Sequence, residues 1–173
     1  MIEGNDFLNY EPPSWDVWFM KQVYLVAEKS KDPSTKFGAL LVKDNHIISS
    51  GFNGFPIGVK DLPERYCERE LKYKFVVHAE TNSVLSAARF GISTLGTTLY
   101  TQTIPCHDCA KSIIQGGIKK LVIHSKWPAM SHSKWKESME ISGIMLSESG
   151  VEIRYMEEPL SVLAYLNGKS YSV

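Results

Sequence analysis

The chain has 173 residues, 43% of them hydrophobic, which is enough to fill one ordinary domain core. Its 19 lysines and arginines balance 19 aspartates and glutamates, so it lacks the cationic surplus of a non-specific nucleic-acid binder, though a small local phosphate site stays open. No apolar run approaches the ~18 residues that cross a bilayer, the first ten residues carry no Lys or Arg of a signal peptide, and Cys67, Cys106 and Cys109 do not make a secreted disulfide framework.

The expectation is a cytoplasmic protein with neither membrane nor nucleic acid as partner. Residues 1–13 read as an arm ending in Pro12-Pro13, and residues 14–173 as one domain. Ser14 is a natural helix cap, with Asp16 in the first turn. Trp15, Trp18, Phe19, Val23, Val26 and Ala27 recur at helical spacing and predict a core-facing stripe to about residue 30. Phe37 to Val42 and His46 to Phe52 predict a hairpin around Asp44-Asn45. Gly54, Pro56, Gly58 and Pro63 mark a loop from Asn53 to about Tyr66. A helix over 79–90, with Val84, Leu85 and Ala88 inward, ends at Gly91. A strand over 97–101, a helix over 106–115, a strand over 121–124, a helix near 133–147 and a strand near 151–155 follow, and the tail from Glu157 reads as a short helix. Helices alternating with strands after a hairpin predict an α/β fold, with a mixed sheet covered by helices.

The chemistry concentrates in two segments, His78-Ala79-Glu80 and Pro105-Cys106-His107-Asp108-Cys109. His78, Cys106 and Cys109 are three zinc ligands, and a tetrahedral metal with three protein ligands keeps its fourth position for water. Zinc lowers the pKa of such a water towards ~7. Both segments open predicted helices, whose free N–H groups and dipole favour thiolates. Cys106 and Cys109, three apart, lie on one helical turn and reach one metal. Glu80 stands two positions from the first ligand as a proton carrier. This His-x-Glu and Pro-Cys-x-x-Cys pattern matches that of the zinc deaminases, in which the glutamate is acid and base rather than ligand. A purely structural zinc would leave Glu80 idle and one coordination position unfilled. His107 is offset on its helix from the two thiols, and a Cys106/His78 nucleophilic pair would leave the second thiol and Glu80 unused. His46, His124 and His132 read as surface or local hydrogen-bonding residues, and Cys67 as a partly buried thiol.

The chain resembles the deoxycytidylate deaminases of the cytidine deaminase superfamily. The stretches that carry the resemblance are Ser14-Trp15-Asp16, Ser30 to Thr35, Gly51 to Pro56, His78-Ala79-Glu80 with Asn82, Pro105 to Lys111, and Gly117-Ile118-Lys119. It implies a cytidine-deaminase-like three-layer α/β/α fold with a five-stranded mixed sheet. It also implies hydrolysis of dCMP to dUMP and ammonia on a single Zn2+, supplying dUMP for thymidylate synthesis. Glu80 would move the protons, the Ala79 backbone would meet the pyrimidine oxygen, and Asn53 the sugar. The family is typically a homohexamer activated by dCTP and inhibited by dTTP, with Mg2+ accompanying the effector.

Lys31, Ser34, Thr35, Lys36 and Arg65 are candidates for the 5′-phosphate. Gly54, Phe55, Arg65 and Arg89 are candidates for effector response. Trp127 stands where the family often carries a tyrosine near the phosphate, and without a hydroxyl it can only stack or donate through its ring N–H. Asp32-Pro33 stands where some members place a cysteine for a second zinc, so one zinc is expected. An enzyme that also accepts dCTP or deoxycytidine, an editing deaminase acting on an extruded base, and a non-catalytic zinc-stabilised nucleotide sensor are the alternatives.

Overall fold

The structure, a computed structural model, describes residues 11–125 and 133–173. Most of the arm expected over 1–13 lies outside the described residues, as do Trp127 and His132. Helix α1 (Trp15–Ala27) begins where Ser14 Oγ accepts the Val17 N–H at 3.3 Å, as the sequence predicts. Its buried stripe runs through Phe19, Met20, Val23, Tyr24 and Ala27. Trp15 and Trp18 are a correction: they remain 55% and 39% exposed and pack on Phe19 along the margin of that stripe. Met20 and Tyr24 fill the core positions instead.

Strands β1 (Gly38–Lys43) and β2 (His46–Phe52) form the expected antiparallel hairpin. Asp44 and Asn45 adopt φ of 49° and 60°, the left-handed pair that matches strand twist in a two-residue turn. Part of the loop expected to Tyr66 is helical: Pro63, at the first helical position, opens α2 (Pro63–Cys67). A further short helix, α3 (Arg69–Phe75), follows without a sequence counterpart. Then come α4 (Ala79–Arg89), β3 (Thr98–Thr101), α5 (His107–Gln115), β4 (Lys120–His124), α6 (Ser133–Glu148) and β5 (Glu152–Met156). The tail is not helical. It forms a second hairpin, β6 (Leu163–Leu166) and β7 (Lys169–Ser172), around Asn167 and Gly168 with φ of 51° and 74°. The Asn-Gly dipeptide is the sequence signal for that turn.

The main sheet has the order β2-β1-β3-β4-β5. β1 is antiparallel to β2 and β3, while β3, β4 and β5 run parallel. Strand alternation divides the core into two layers. Leu40, Val42, Tyr100 and Val122 meet α1 and the C-terminal segment through Leu160, Ala164 and Leu166. Ala39, Leu41, Leu99, Leu121 and Ile123 face α4, α5 and α6 through Ala79, Ala87, Ala110, Ile113 and Leu146. The result is a three-layer α/β/α arrangement.

The buried face of α4 differs from expectation. Ala79, Glu80, Ser83 and Ala87 are buried, Val84 is half-buried, and Leu85 and Ala88 are exposed. Close approach explains the reversal. A Cβ on Gly51 of β2 would fall 2.2 Å from the Ala79 carbonyl oxygen and 2.4 Å from the Ser83 nitrogen. The helix backbone therefore lies almost on the strand, and only small side chains fit between them.

Candidate active site

The close seating of α4 brings its N-terminus to the C-terminal ends of β2 and β3. There His78 caps α4 and Cys106 caps α5. Cys106 Sγ lies 3.3 Å and Cys109 Sγ 3.5 Å from His78 Nδ1. Two ligands on a tetrahedral zinc, one sulfur at ~2.3 Å and one nitrogen at ~2.0–2.1 Å, stand about 3.6 Å apart. The donor set of two sulfurs and one nitrogen therefore fits zinc, with His78 Nδ1 and both thiols as its holders. Among the described residues this trio is the one cluster of its kind. His107 Nδ1 bonds Ser138 Oγ at 2.7 Å, away from the two sulfurs.

Electrostatics reinforce the geometry. The hydrogen bond shared with Cys109 pulls the Cys106 thiol well below its ordinary value despite burial, with His78 assisting. The same sharing, together with burial, pushes Cys109 up. Burial works against a charged His78, yet Cys106 and Glu80 outweigh it and raise its value. Glu80 is 5% exposed. Its Oε1 accepts from Thr101 Oγ1 at 3.4 Å, and its Oε2 lies 3.7 Å from Cys109 Sγ. Burial drives its carboxyl above the usual carboxylate range, against the pull of His78. A carboxyl so placed holds a proton more readily than an exposed one, which suits it to take up and give back a proton.

A cavity of about 360 Å³ opens against Glu80, His78 and Cys106, large enough for a small ligand. Ala79, Asn53, Ser34 and Thr35 line it, as does Phe37. The Asn53 carboxamide is engaged with the backbone around it. It donates to the Thr35 carbonyl at 2.9 Å and accepts from the Phe37 N–H at 2.8 Å. Lys31, Lys36 and Arg65 do not line the cavity. Lys31 pairs with Asp61 at 2.7 Å, and Lys36 lies 5.5 Å over the Tyr165 ring in a separate groove. Arg65 donates to the Lys60 carbonyl and covers Phe75. Gly54 pairs with Val77, and Phe55 stacks on Tyr66 at 4.3 Å. Arg89 is exposed in the last turn of α4. Cys67, expected to be partly buried, is exposed at the cavity wall. His124 is fully buried and bonds Tyr24 Oη at 2.7 Å.

Several cavity residues escape a reading of the sequence because α3 does. Arg69, Lys72 and Tyr73 come from it, with Tyr66 just before. Lys72 is buried and pairs with buried Asp32 at 3.1 Å. That carboxylate also accepts the N–H groups of Ser34 at 2.8 Å and Thr35 at 3.2 Å, which fixes their loop against the cavity. Trp135, whose ring lies 5.7 Å from that of His78, and Asn167 also line the cavity and are likewise additions to the sequence-based set.

Residues 13–125 match the family described as the cytidine and deoxycytidylate deaminase zinc-binding region. An uncharacterized deaminase encoded in the luxG 3′ region of Aliivibrio fischeri is 40% identical over 86% of this chain and 97% of its own. Human deoxycytidylate deaminase is 35% identical over 81% of this chain and 78% of its own. The structure of the cyanophage S-TIM5 dCMP deaminase in complex with dCMP and dUMP aligns with a TM-score of 0.65 at 28% identity. It covers 85% of this chain and all of that one.

Proposed function

The chain belongs to the cytidine and deoxycytidylate deaminase family, and from that premise we propose that it hydrolyses dCMP to dUMP and ammonia. One observation carries the reading. The protonatable Glu80, buried beside the His78–Cys106–Cys109 donor set, lines the same cavity as Ser34, Thr35 and Arg69. A zinc ion held by His78, Cys106 and Cys109 would supply an acidic water as the nucleophile for ring carbon 4. Glu80 accepts the proton lost by that water and gives it to ring nitrogen 3. The hydroxyl added at carbon 4 then gives up its proton, which the same carboxyl passes to the departing amine; the carbonyl forms as the C–N bond breaks, so one water enters and one ammonia leaves. Ala79, at the first helical position, offers an N–H without an intrahelical acceptor to the pyrimidine oxygen. Asn53 holds the Thr35 and Phe37 backbone that flanks the sugar. Ser34 and Thr35 supply donors and Arg69 positive charge for a 5′-phosphate, while Lys72 cancels the charge of Asp32 beneath their loop.

The regulatory part of the proposal is a cytoplasmic homohexamer activated by dCTP with Mg2+ and inhibited by dTTP. Arg89 would serve as the effector-responsive end of α4. Ten residues after Ala79, it sits about 15 Å along the helix that starts at the catalytic carboxyl, which gives a rigid path between the two. Phe55 and Arg65, both packed on Phe75, form a second effector candidate with Gly54. In a zinc-loaded ultraviolet assay across dCMP, dCTP, deoxycytidine and cytidine, dCMP is the expected best substrate. Its saturation curve is expected to be sigmoidal, shifted left by micromolar dCTP with Mg2+ and right by dTTP. Hyperbolic curves indifferent to both nucleotides would remove the regulatory part. Equal turnover of deoxycytidine and dCMP would remove the monophosphate preference and favour the relaxed enzyme.

A further inference from the structure

The C-terminal hairpin lies beyond the residues that match the family, yet it reaches the cavity. Its turn residue Asn167 is a lining residue, and its edge is stitched to the loop that carries Ser34 and Thr35. Gly168 N–H donates to the Ser34 carbonyl at 2.8 Å, and Lys36 N–H donates to the Tyr165 carbonyl at 3.0 Å. Tyr165 Oη donates to the Pro33 carbonyl at 3.2 Å. The hairpin therefore buttresses the Ser34-Thr35 loop and brings its exposed turn residue Asn167 to the cavity lining. The left-handed φ of 51° at Asn167 restricts that turn position to few residue types.

We propose that Asn167 is a specificity-determining residue, which donates its side-chain amide to the phosphate-bearing end of a nucleoside monophosphate. The inference rests on the dCMP reading above. The ring must meet Glu80 and the metal trio, so the other polar lining residues, among them Ser34, Thr35, Arg69 and Asn167, are left for the other end of the substrate. Hydroxyls and a carboxamide beside the Arg69 guanidinium, with Asp32 paired to Lys72 and Glu80 given to the ring end, suit an anion.

The test is Asn167→Asp, nearly isosteric and able to keep the left-handed turn, with Asn167→Gly as the variant that keeps the turn and removes the amide. A carboxylate at the mouth opposes the phosphate, so N167D is expected to raise KM for dCMP roughly tenfold at low salt. The kcat should stay within about twofold, and kcat/KM for deoxycytidine should not change. Added salt should shrink the N167D defect, which loss of structure would not do. N167G should show a smaller, salt-insensitive rise. Calorimetric titration of dUMP against deoxyuridine reads the same contact without turnover. A wild-type chain that deaminates neither substrate would sink the dCMP reading, and the dUMP titration alone would then decide this one. Unchanged dUMP affinity in both variants, or parallel losses for nucleotide and nucleoside, overturns the assignment.

Discussion

Replacing Glu80 with glutamine is expected to leave one zinc per chain and to lower kcat by about 10²–10⁴-fold or more, the range that general acid–base groups contribute. The substitution keeps the shape of the side chain and an oxygen for the Thr101 hydroxyl, now 3.4 Å from Oε1. The three ligand atoms belong to His78, Cys106 and Cys109, so metal content should not follow the loss of activity. The effect arises because burial gives this carboxyl its raised proton affinity, and an amide can neither take a proton from water nor return it. Metal analysis and ammonia release on the same preparation check the expectation. Turnover near wild type with zinc bound would take Glu80 out of the proton path, whereas loss of zinc would make its role structural.

The second large effect comes from a residue with no side chain. Gly51→Ala is expected to destabilise the protein by roughly 1–3 kcal/mol, and to lower kcat by about 10²-fold through displacement of α4. The new methyl would collide with the Ala79 oxygen and the Ser83 nitrogen, both backbone atoms that no rotamer change can move. Relief requires the helix to lift from β2, and that helix carries His78 and Glu80 at its start. Gly143→Ala in α6 is the control, because its Cβ would meet nothing within 4 Å. It should hold or raise stability, as alanine is the better helix former. Thermal melts and dCMP kinetics on both variants separate general glycine effects from this contact. Wild-type kinetics in G51A would show that the seating of α4 does not set the site.

The two substitutions also mark what is legible in the sequence. His78, Glu80, Cys106 and Cys109 can be read from residue type and local spacing, and the structure brings all four together. The first hairpin can be read because Asp44-Asn45 is a local turn code. The buried face of α4 cannot be read from hydrophobicity. Periodicity favours Val84 and Leu85, but contact with Gly51 demands small residues, and Leu85 is left 55% exposed. Helix α3 is hidden for a different reason. Its sequence, Arg69 to Phe75, is mostly charged, and Lys72 is buried only because Asp32, forty positions earlier, neutralises it. No local pattern carries that pairing. The sequence consequently points to loop cations for the phosphate, at Lys31, Lys36 and Arg65, rather than to the cavity wall that α3 provides. The second hairpin is legible through Asn167-Gly168, but that turn code competes with a helical reading of the tail.

Because β1 runs antiparallel to both neighbours, the segments that follow β2 and β3 and precede β1 all emerge at one end of the sheet. The Asp44-Asn45 turn lies at the opposite end, about 20 Å away along a six-residue strand. Its residues are exposed. That turn is a natural port for engineering. A fluorescent domain with adjacent termini, or new chain ends made by circular permutation, could be spliced there with the catalytic end of the sheet left intact.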